Sequence, residues 1–375
     1  MEVTGLIYFD NAATGWPKPP QVFAAVSEAL HKAGNPGRGA HTSAAWAAQK
    51  VYSVREKLSA LFHIEDPLQI AFTLNATHAL NIAVNLCRGE IVTTSMDHNS
   101  VLRPVISRGY FNIVKADSCG HIESSTIIRR ISDLTGAVIM THGSNVTGEV
   151  YDIEAVGAVC RKRGILFIVD CAQTAGVIPI DVGKMNIDVL CFSGHKGLLG
   201  PQGTGGIYIR KGIPIRPFML GGTGSKSFQL TQPTEMPDCF ESGTVNVHGI
   251  AGLGAGIDRI NEVGIDAIHS RETELRRYFT GKIKDIPGIR VYGKEQGETT
   301  GTVSVNIKGT DSSQIAGLLA EKDICVRGGF HCAPLAHKSL GTDKNGAVRF
   351  SFGYENTCSE IDRAVEVMRQ IAEKL

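Results

Sequence analysis

The chain has 375 residues, 42% of them hydrophobic and 20% charged, which is typical of a globular protein of enzyme size. Its net charge of +1 without a dense basic block argues against a nucleic acid partner, and no apolar stretch approaches the roughly 20 residues of a membrane span. Nine cysteines without CxxC spacing predict neither disulfides nor a zinc site, and no leader pattern opens the sequence, so we expect a cytoplasmic protein.

Strand and helix patterns alternate along the first half of the chain. An extended piece at 7–14 leads through three prolines to a helix at 22–30, and a second apolar helix follows the glycine-rich loop at 34–41. The predicted strands cover residues 69–73, 90–94, 111–114, 137–141, 165–170 and 189–192, and helices are predicted at 77–86, 123–131 and 152–163. Such alternation predicts a mostly parallel sheet with helices on both faces.

The second half of the chain begins with a long irregular loop at 221–243, of a length that is usually functional. A helical region from 257 to 286 and a second alternating region follow it, and a helix at 359–371 ends the chain. We therefore predict an α/β fold with a large domain at 15–255 and a smaller α+β domain at 256–375. Segment 1–14 is expected to pack near the smaller domain.

Polar clusters follow several of the predicted strands at the point where each strand ends. They are Asn75-Ala76-Thr77, Asp97-His98, Ser144-Asn145, Asp170 and Ser193-Gly194-His195-Lys196. Functional sites of parallel sheets form at the carboxyl ends of the strands. The sequence therefore predicts a site at this edge of the sheet.

Lys196 is the candidate reactive group of that site. It follows the apolar strand at 189–192 and precedes a loop rich in glycine and proline, where its amine is little crowded. An amine so placed can form a Schiff base, and pyridoxal phosphate (PLP) is the commonest aldehyde to meet it. A phosphate-binding loop is disfavoured because a strand pattern at 207–210 follows where such a loop needs a helix.

The other groups that PLP needs are present at the strand ends. A carboxylate for the ring nitrogen, donors at a helix start for the phosphate, a flat side chain for stacking and amides for the ring hydroxyl are all required. Asp170 is the candidate for the ring nitrogen, and His98 is the candidate for stacking. The candidates for the phosphate are Ala76, Thr77, Ser193 and His195, and those for the ring hydroxyl are Asn145 and Gln173. Each also has a plainer interpretation, as a helix cap, a turn residue or a structural histidine.

Two residues near the C-terminus are candidates for substrate chemistry. Arg349 lies in a strand pattern, and its guanidinium suits bidentate capture of an amino-acid carboxylate; the alternative is a surface-facing arginine. Cys332 lies in a polar loop beside His331 and near Arg327, where a cysteine can act as a nucleophile. The alternative is an incidental loop cysteine.

Taken together, these motifs resemble those of the class V aminotransferase-like PLP enzymes of fold type I, specifically the cysteine desulfurase and selenocysteine lyase group. The resemblance covers essentially the whole chain. Ser193-Gly194-His195-Lys196 resembles the family's Schiff-base motif, which implies that Lys196 binds PLP. The segment at 169–173 resembles the family's V-D-x-A-Q, which implies Asp170 on the ring nitrogen and Gln173 near the ring hydroxyl.

Further segments extend the resemblance. Residues 72–77 resemble the phosphate turn, 97–98 the stacking-histidine segment, 144–148 the S-N-x-x-G segment, and 327–333 the R-x-G-H-H-C-A loop of the SufS-like branch. These imply Thr77 and the Ala76 amide on the phosphate, and Cys332 as sulfur acceptor. The segment at 240–244 resembles one that reaches the partner's phosphate across a homodimer, through Thr244. The remaining implied residues are Asn11, Arg38 and His41 at the substrate mouth and Arg349 on the substrate carboxylate.

The chain departs from the family pattern at two positions: Phe330 replaces the first loop histidine, and Asn99 replaces a second histidine after His98. The resemblance implies a homodimeric, PLP-dependent cysteine desulfurase that converts L-cysteine to L-alanine through Lys196 and His98. Sulfur would pass to Cys332 as a persulfide and then to an acceptor protein. The alternatives are a selenocysteine lyase, another class V aminotransferase-type lyase, and a PLP-binding partner subunit.

Overall fold

The structure is a computed structural model that describes residues 5–37 and 39–375. Arg38, predicted at the substrate mouth, lies outside the described residues. The helices are α1 Pro20–Lys32, α2 Thr42–Leu61, α3 Ala76–Leu86, α4 Asn99–Arg108, α5 Ser124–Arg130, α6 Ile153–Arg163, α7 Val247–Val263, α8 Ile265–Ile283, α9 Ser312–Ala320, α10 Pro334–Leu340 and α11 Cys358–Lys374. The strands are β1 Ile7–Tyr8, β2 Ile70–Thr73, β3 Glu90–Thr94, β4 Phe111–Val114, β5 Thr135–Thr141, β6 Leu166–Asp170, β7 Val189–Ser193, β8 Gly205–Ile209, β9 Ile289–Tyr292, β10 Thr302–Ile307, β11 Ile324–Cys325, β12 Arg327–Gly329 and β13 Ala347–Ser351.

A seven-stranded sheet forms the centre of the molecule, with strand order β2-β8-β7-β6-β5-β3-β4. The five strands from β7 to β4 run parallel, while β8 runs antiparallel to β7, and β2 antiparallel to β8. The sheet is therefore mostly parallel, as the alternating pattern predicts. The central strands β5, β6 and β7 read as largely apolar runs because both faces of the sheet are buried there.

The C-terminal part contains a four-stranded antiparallel sheet, β12-β13-β10-β9. Within the second alternating region, residues 324–327 belong to two strands in different sheets: β11 pairs with β1, whereas β12 pairs with β13. The helix expected at 257–286 is likewise two helices, because the chain breaks at Gly264, whose φ of +89° is unfavourable for other residues.

Two buried cores pack against the large sheet, and a third fills the C-terminal part. Ile7 and Phe9 of the N-terminal segment belong to this third core, beside residues of α8, β10, β13 and α11. The predicted division between residues 255 and 256 falls inside α7, where Leu253 and Ile257 on either side of it share one core. The domain limits stay a prediction. Among the described helices, none is both long and apolar enough to cross a membrane.

A buried ion pair fastens the segment at 240–244 to the sheet. Arg55 of α2 donates from Nη2 to Glu241 Oε1 at 2.7 Å, and the same oxygen accepts from the Phe72 backbone N at 2.6 Å in β2. Both side chains are almost fully buried. The carboxylate thus depends on Arg55 for its neutralisation, since an unpaired buried charge is strongly unfavourable.

Arg55→Met should lower the free energy of unfolding by roughly 3–5 kcal/mol, because it leaves the Glu241 charge buried and unpaired. The measurement is urea denaturation followed by circular dichroism. Lys57→Met is the matched control, since Lys57 pairs with Asp258 on the surface and should contribute less than about 1 kcal/mol. Equal effects of the two substitutions would contradict this account of Arg55.

Candidate functional site

The carboxyl ends of β5, β6 and β7 form the edge at which the candidate residues gather. Thr141 pairs with Asp170, and Asp170 with Cys191, so these strand ends are adjacent. Asp170 is 4% exposed, and its Oδ1 accepts from the Ala172 backbone N at 2.9 Å. Burial raises the Asp170 pKa, and the nearby Lys196 opposes that rise. No described residue donates to its second carboxylate oxygen, which remains available to a ligand.

Lys196 lies a few residues past the end of β7, inside the same cluster. Burial lowers the pKa of its amine to about 8; Asp170 counteracts this effect, whereas Arg349 and Arg327 add to it. A lysine with such a pKa is partly neutral near physiological pH, and neutral amines are nucleophiles and bases. The amine is therefore primed for attack on an aldehyde.

The N-terminal segment holds the Lys196 loop from outside. Gly15 N donates to the carbonyl of His195 at 3.0 Å, and Lys18 Nζ donates to the same oxygen at 2.6 Å. A Cβ on Gly15 would lie 2.8 Å from the Lys196 carbonyl oxygen, so this contact requires glycine. His195 also bonds Thr14 Oγ1 through its ring Nδ1 at 3.1 Å.

The N-terminus of α3 is brought to the same edge by close backbone packing. A Cβ on Gly205 would lie 2.8 Å from Asn75 Cα, so β8 passes directly beside the start of α3. The Asn75 side chain caps this helix by accepting from His78 N at 3.0 Å. Ala76 and Thr77 form the first turn, whose free N–H groups favour an anion.

His98 caps the N-terminus of α4, and Ser100 lies between it and Thr77. Its Nδ1 accepts from the Ser100 backbone N at 3.0 Å, which places the ring proton of the neutral imidazole on Nε2. Burial lowers the His98 pKa to about 4, and Lys196 and Arg349 add to the effect. The Ser100 hydroxyl bridges the site, 2.9 Å from His98 Nδ1 and 2.7 Å from Thr77 Oγ1.

The loop that carries Cys332 is fastened to this edge through its backbone. Asn99 N donates to the Cys332 carbonyl at 2.7 Å, and Asn145 Nδ2 donates to the His331 carbonyl at 2.7 Å. Cys332 itself is exposed. The structure therefore brings an accessible thiol beside the His98 segment.

Arg349 is 2% exposed, so the alternative interpretation of a surface-facing arginine is wrong. Nη2 donates to Asp10 Oδ1 at 2.8 Å and Nη1 to the Asn145 carbonyl at 3.1 Å. The Nε–H is buried, and no described residue accepts a hydrogen bond from it. Burial lowers its pKa and Asp10 opposes the shift, so the guanidinium keeps its charge. A buried donor without an acceptor is costly, and a ligand carboxylate would satisfy it.

Other predicted residues take structural contacts near the cluster. Gln173 donates to the Ala12 carbonyl at 3.1 Å, and Asn11 donates to the Ser351 carbonyl at 3.0 Å. Ser193 is buried at the end of β7. Gln173 and Asn11 thus join the N-terminal segment to the rest of the chain, while the roles of all three residues toward a ligand stay predictions.

Two predicted residues are not joined to the cluster by any hydrogen bond among the described residues. His41 is exposed and caps α2, with its Nδ1 accepting from Ala44 N at 3.4 Å. Thr244 is exposed in the loop before α7. Their predicted roles require either substrate or a second copy of the chain.

Sequence reasoning missed Asp10, and it named Asp97 only as part of the polar cluster with His98, without a role of its own. Asp10 holds the guanidinium of Arg349, and Asp97 accepts four hydrogen bonds that shape the turn before His98. Both aspartates follow strands, yet each also reads as an ordinary turn residue. The only signal in the sequence is their position immediately before a candidate residue.

A cavity of about 720 Å³ lies between the N-terminal segment and the C-terminal part of the chain. Asn11, Gln173 and Lys196 line it, together with Trp16 and Phe352. The groups that surround the Lys196 amine at the strand edge are absent from its walls. This cavity therefore adjoins the candidate site and shares Lys196 with it, whereas Asp170, His98 and Arg349 are not part of its lining.

The donor set of the strand edge fits PLP. Asp170 offers a buried carboxylate oxygen without a described donor, and Lys196 offers an amine with a lowered pKa. The start of α3 offers backbone N–H groups and the Thr77 hydroxyl to a phosphate. The strand edge thus holds an acid for the ring nitrogen of PLP, an amine for its aldehyde and an anion site for its phosphate.

The chain is similar to one enzyme family along nearly its whole length. The family model described as aminotransferase class-V matches residues 7–364. A curated protein of Methanothermobacter thermautotrophicus, named probable cysteine desulfurase, is 34% identical over 98% of this chain and 94% of its own length. A Pyrococcus abyssi protein of the same name is also 34% identical, over 99% of this chain and 95% of its own length.

A solved structure shares the fold. The apo structure of cysteine desulfurase from Thermococcus onnurineus NA1 matches with a TM-score of 0.91 at 32% identity. The match covers 99% of this chain and 95% of that chain. The predicted fold class is confirmed by this agreement and by the family match.

Asp170→Asn should lower the pKa of Lys196 below about 8, because it removes the negative charge that counteracts desolvation of the amine. At pH 7 a larger fraction of the amine is then neutral, so acylation of Lys196 should quicken several-fold. Competitive labelling of the PLP-free protein with acetic anhydride across pH, read by peptide mass spectrometry, measures this. Asp152→Asn at the start of α6 is the isosteric control and should change nothing. A Lys196 profile unaffected by Asp170→Asn would refute the coupling.

Proposed function

The chain belongs to the aminotransferase class-V family, in its cysteine desulfurase group, and we propose that it removes sulfur from L-cysteine with Lys196 and Cys332. One observation carries this proposal. Asn145 donates from its side chain to the His331 carbonyl in the Cys332 loop and accepts from Arg349 at its own carbonyl, so one residue holds both this loop and the proposed carboxylate receptor. A desulfurase needs both groups at one substrate, since one holds the amino acid and the other takes its sulfur.

The family generally uses PLP, and we propose that this chain binds it with residues of the strand edge. When bound, PLP accepts electron density from the substrate Cα and so eases loss of the Cα proton. The residues proposed to hold it are Lys196, Asp170, Ala76, Thr77, His98, Asn145, Gln173, Ser193 and His195, with Thr244 contributed to a second copy in a homodimer. The free oxygen of Asp170 and the open first turn of α3 support this assignment.

Arg349 is proposed to bind the substrate carboxylate. Its buried Nε–H has no acceptor within residues 5–37 and 39–375, while Asp10 and the Asn145 carbonyl hold its two other nitrogens. The guanidinium is thus oriented before substrate arrives, which reduces the entropic cost of binding. Asn11, Arg38 and His41 are proposed to line the mouth through which the substrate enters.

Lys196 is proposed to move the Cα proton. With a pKa of about 8, its amine is partly unprotonated at pH 7 and can accept a proton from carbon. His98 stays neutral at this pH, with its Nδ1 occupied by the Ser100 N–H, so Nε2–H is its only ring donor. We assign His98 the stacking position because a neutral flat ring suits that contact.

Cys332 is proposed to take the sulfur. Its thiolate attacks the substrate sulfur, so an S–S bond forms while the substrate C–S bond breaks and its electron pair stays with carbon. Protonation of that carbon gives alanine, and the enzyme keeps a persulfide. The exposure of Cys332 supports onward transfer to an acceptor protein.

Cys332→Ala should reduce alanine formation from L-cysteine by roughly a thousandfold or more, because the sulfur acceptor is lost. The assay measures alanine with L-cysteine and L-selenocysteine side by side. Cys119→Ala is the control, since Cys119 is also exposed but lies in a different loop. If the unsubstituted protein and Cys332→Ala both turn over selenocysteine and neither turns over cysteine, the chain is better described as a selenocysteine lyase. Bound PLP without alanine from either substrate would leave another lyase or a partner subunit.

Arg349→Lys should raise KM for L-cysteine by roughly 10- to 100-fold, since a charge-assisted hydrogen bond contributes about 1.5–3 kcal/mol. Steady-state kinetics of alanine release measure the change. Arg290→Lys is the control, because Arg290 lies exposed on β9 of the same sheet. An unchanged KM in Arg349→Lys would exclude Arg349 as the carboxylate receptor.

A further inference from the structure

The Cys332 loop contains two consecutive non-glycine residues in the left-handed backbone region. His331 has a φ of +50° and Cys332 a φ of +54°. Each such residue costs roughly 1–2 kcal/mol. A strained pair of this kind persists only where the surrounding structure compensates for it, so the contacts of this loop decide where the thiol lies.

The His331 side chain is held by its own hydrogen bonds, apart from the contacts that the loop backbone makes with Asn99 and Asn145. His331 is 7% exposed, and its Nε2 lies 3.0 Å from the Arg327 carbonyl oxygen. Its Nδ1 lies 3.2 Å from Nε2 of His337 in α10. His337 is fully buried and bonds Thr342 Oγ1 through Nδ1 at 2.7 Å. A continuous hydrogen-bonded chain therefore runs from Thr342 to Arg327.

The direction of this chain follows from its end. A carbonyl oxygen only accepts, so His331 must donate from Nε2, and its Nδ1 in the neutral ring must accept. His337 must then donate from Nε2 and accept at Nδ1, which makes the Thr342 hydroxyl the donor. Both rings carry their proton on Nε2, and each hydrogen bond fixes the next.

The surroundings keep both rings neutral, which the chain requires. Burial holds the His331 pKa well below its ordinary value, and the charge of Arg349 adds to this. Burial lowers the His337 pKa to about 4. Phe330 meets the His337 ring edge-on, with centroids 5.5 Å apart, and covers it on the loop side.

We propose that His337 is a positioning residue for Cys332. By donating to His331 Nδ1 it fixes the ring that ties the strained loop to the Arg327 carbonyl, and Thr342 fixes His337 in turn. The thiol is thereby held where the loop backbone meets Asn99 and Asn145. This inference rests on the proposed function of Cys332 as sulfur acceptor.

The test compares His337→Phe with His337→Gln. Phenylalanine keeps an aromatic ring but removes the donor to His331, whereas glutamine retains an N–H donor. His337→Phe should lower kcat for alanine release roughly 10- to 100-fold, because the thiol is misplaced, while KM stays within about twofold. His337→Gln should recover most of kcat. His31→Phe, on the exposed face of α1, is the control for the substitution itself.

A second readout needs neither substrate nor turnover. The Asn99 amide donates to the Cys332 carbonyl and the Ala333 amide to the Phe330 carbonyl, so both report the closed loop. His337→Phe should speed hydrogen exchange at these amides about tenfold or more, and His337→Gln should not. If His337→Phe fails to fold, Thr342→Val is used instead, with Thr342→Ser as the rescue.

Unchanged kcat and unchanged exchange in His337→Phe or Thr342→Val would overturn the proposal. So would ¹⁵N chemical shifts that show the His337 proton on Nδ1 in the unsubstituted protein. If the unsubstituted protein forms no alanine, the proposed function fails. Hydrogen exchange at the Asn99 and Ala333 amides and the tautomer of His337 still test whether His337 positions the loop. Faster exchange with the Nε2–H tautomer would then support the loop anchor alone.

Discussion

The buried guanidinium of Arg349 joins three parts of the chain that are far apart in sequence. It bonds Asp10 in the N-terminal segment and the Asn145 carbonyl after β5, while it projects from β13 near the C-terminus. A charge this deeply buried is tolerable only with partners arranged around it. The relative positions of these three segments, and therefore the shape of the site, depend on that arrangement.

Desolvation gives the cluster its chemical character. The same exclusion of water lowers the pKa of Lys196 to about 8 and of His98 to about 4, and raises that of Asp170. The mutual effects of these groups are secondary to burial. An amine that is partly neutral and an imidazole that stays neutral follow from one physical cause, the enclosure of the strand ends.

The two loops of the site differ: the Lys196 loop is held in place, whereas the Cys332 loop exposes its thiol. The Lys196 loop is held by carbonyl contacts to Gly15 and Lys18, and the glycine contact leaves no room for a Cβ. The Cys332 loop instead leaves its thiol exposed and stores backbone strain at two residues. The proposed role of Cys332 in passing sulfur to another molecule requires an accessible thiol, whose position then depends on the residues that anchor the loop behind it.

The sequence by itself determined the parallel sheet and the residues at its edge. Continuous apolar runs such as 166–169 specify buried strands, and the polar residues after them, Asp170 and Lys196 among them, follow from strand polarity. The motif resemblance also indicated the family, because several short segments agree at consistent separations. Local patterns suffice for these features because they arise from near neighbours in the chain.

Only the tertiary structure decided which residues meet. Tertiary packing breaks the helix at Gly264 and divides 324–327 between two sheets. It also brings Asp10 to Arg349 and His331 to His337. No periodicity records such contacts, since an aspartate after a strand or a histidine in a short helix has many ordinary uses. Burial of Arg349 was likewise undetermined, because whether a strand arginine faces solvent depends on what covers the sheet.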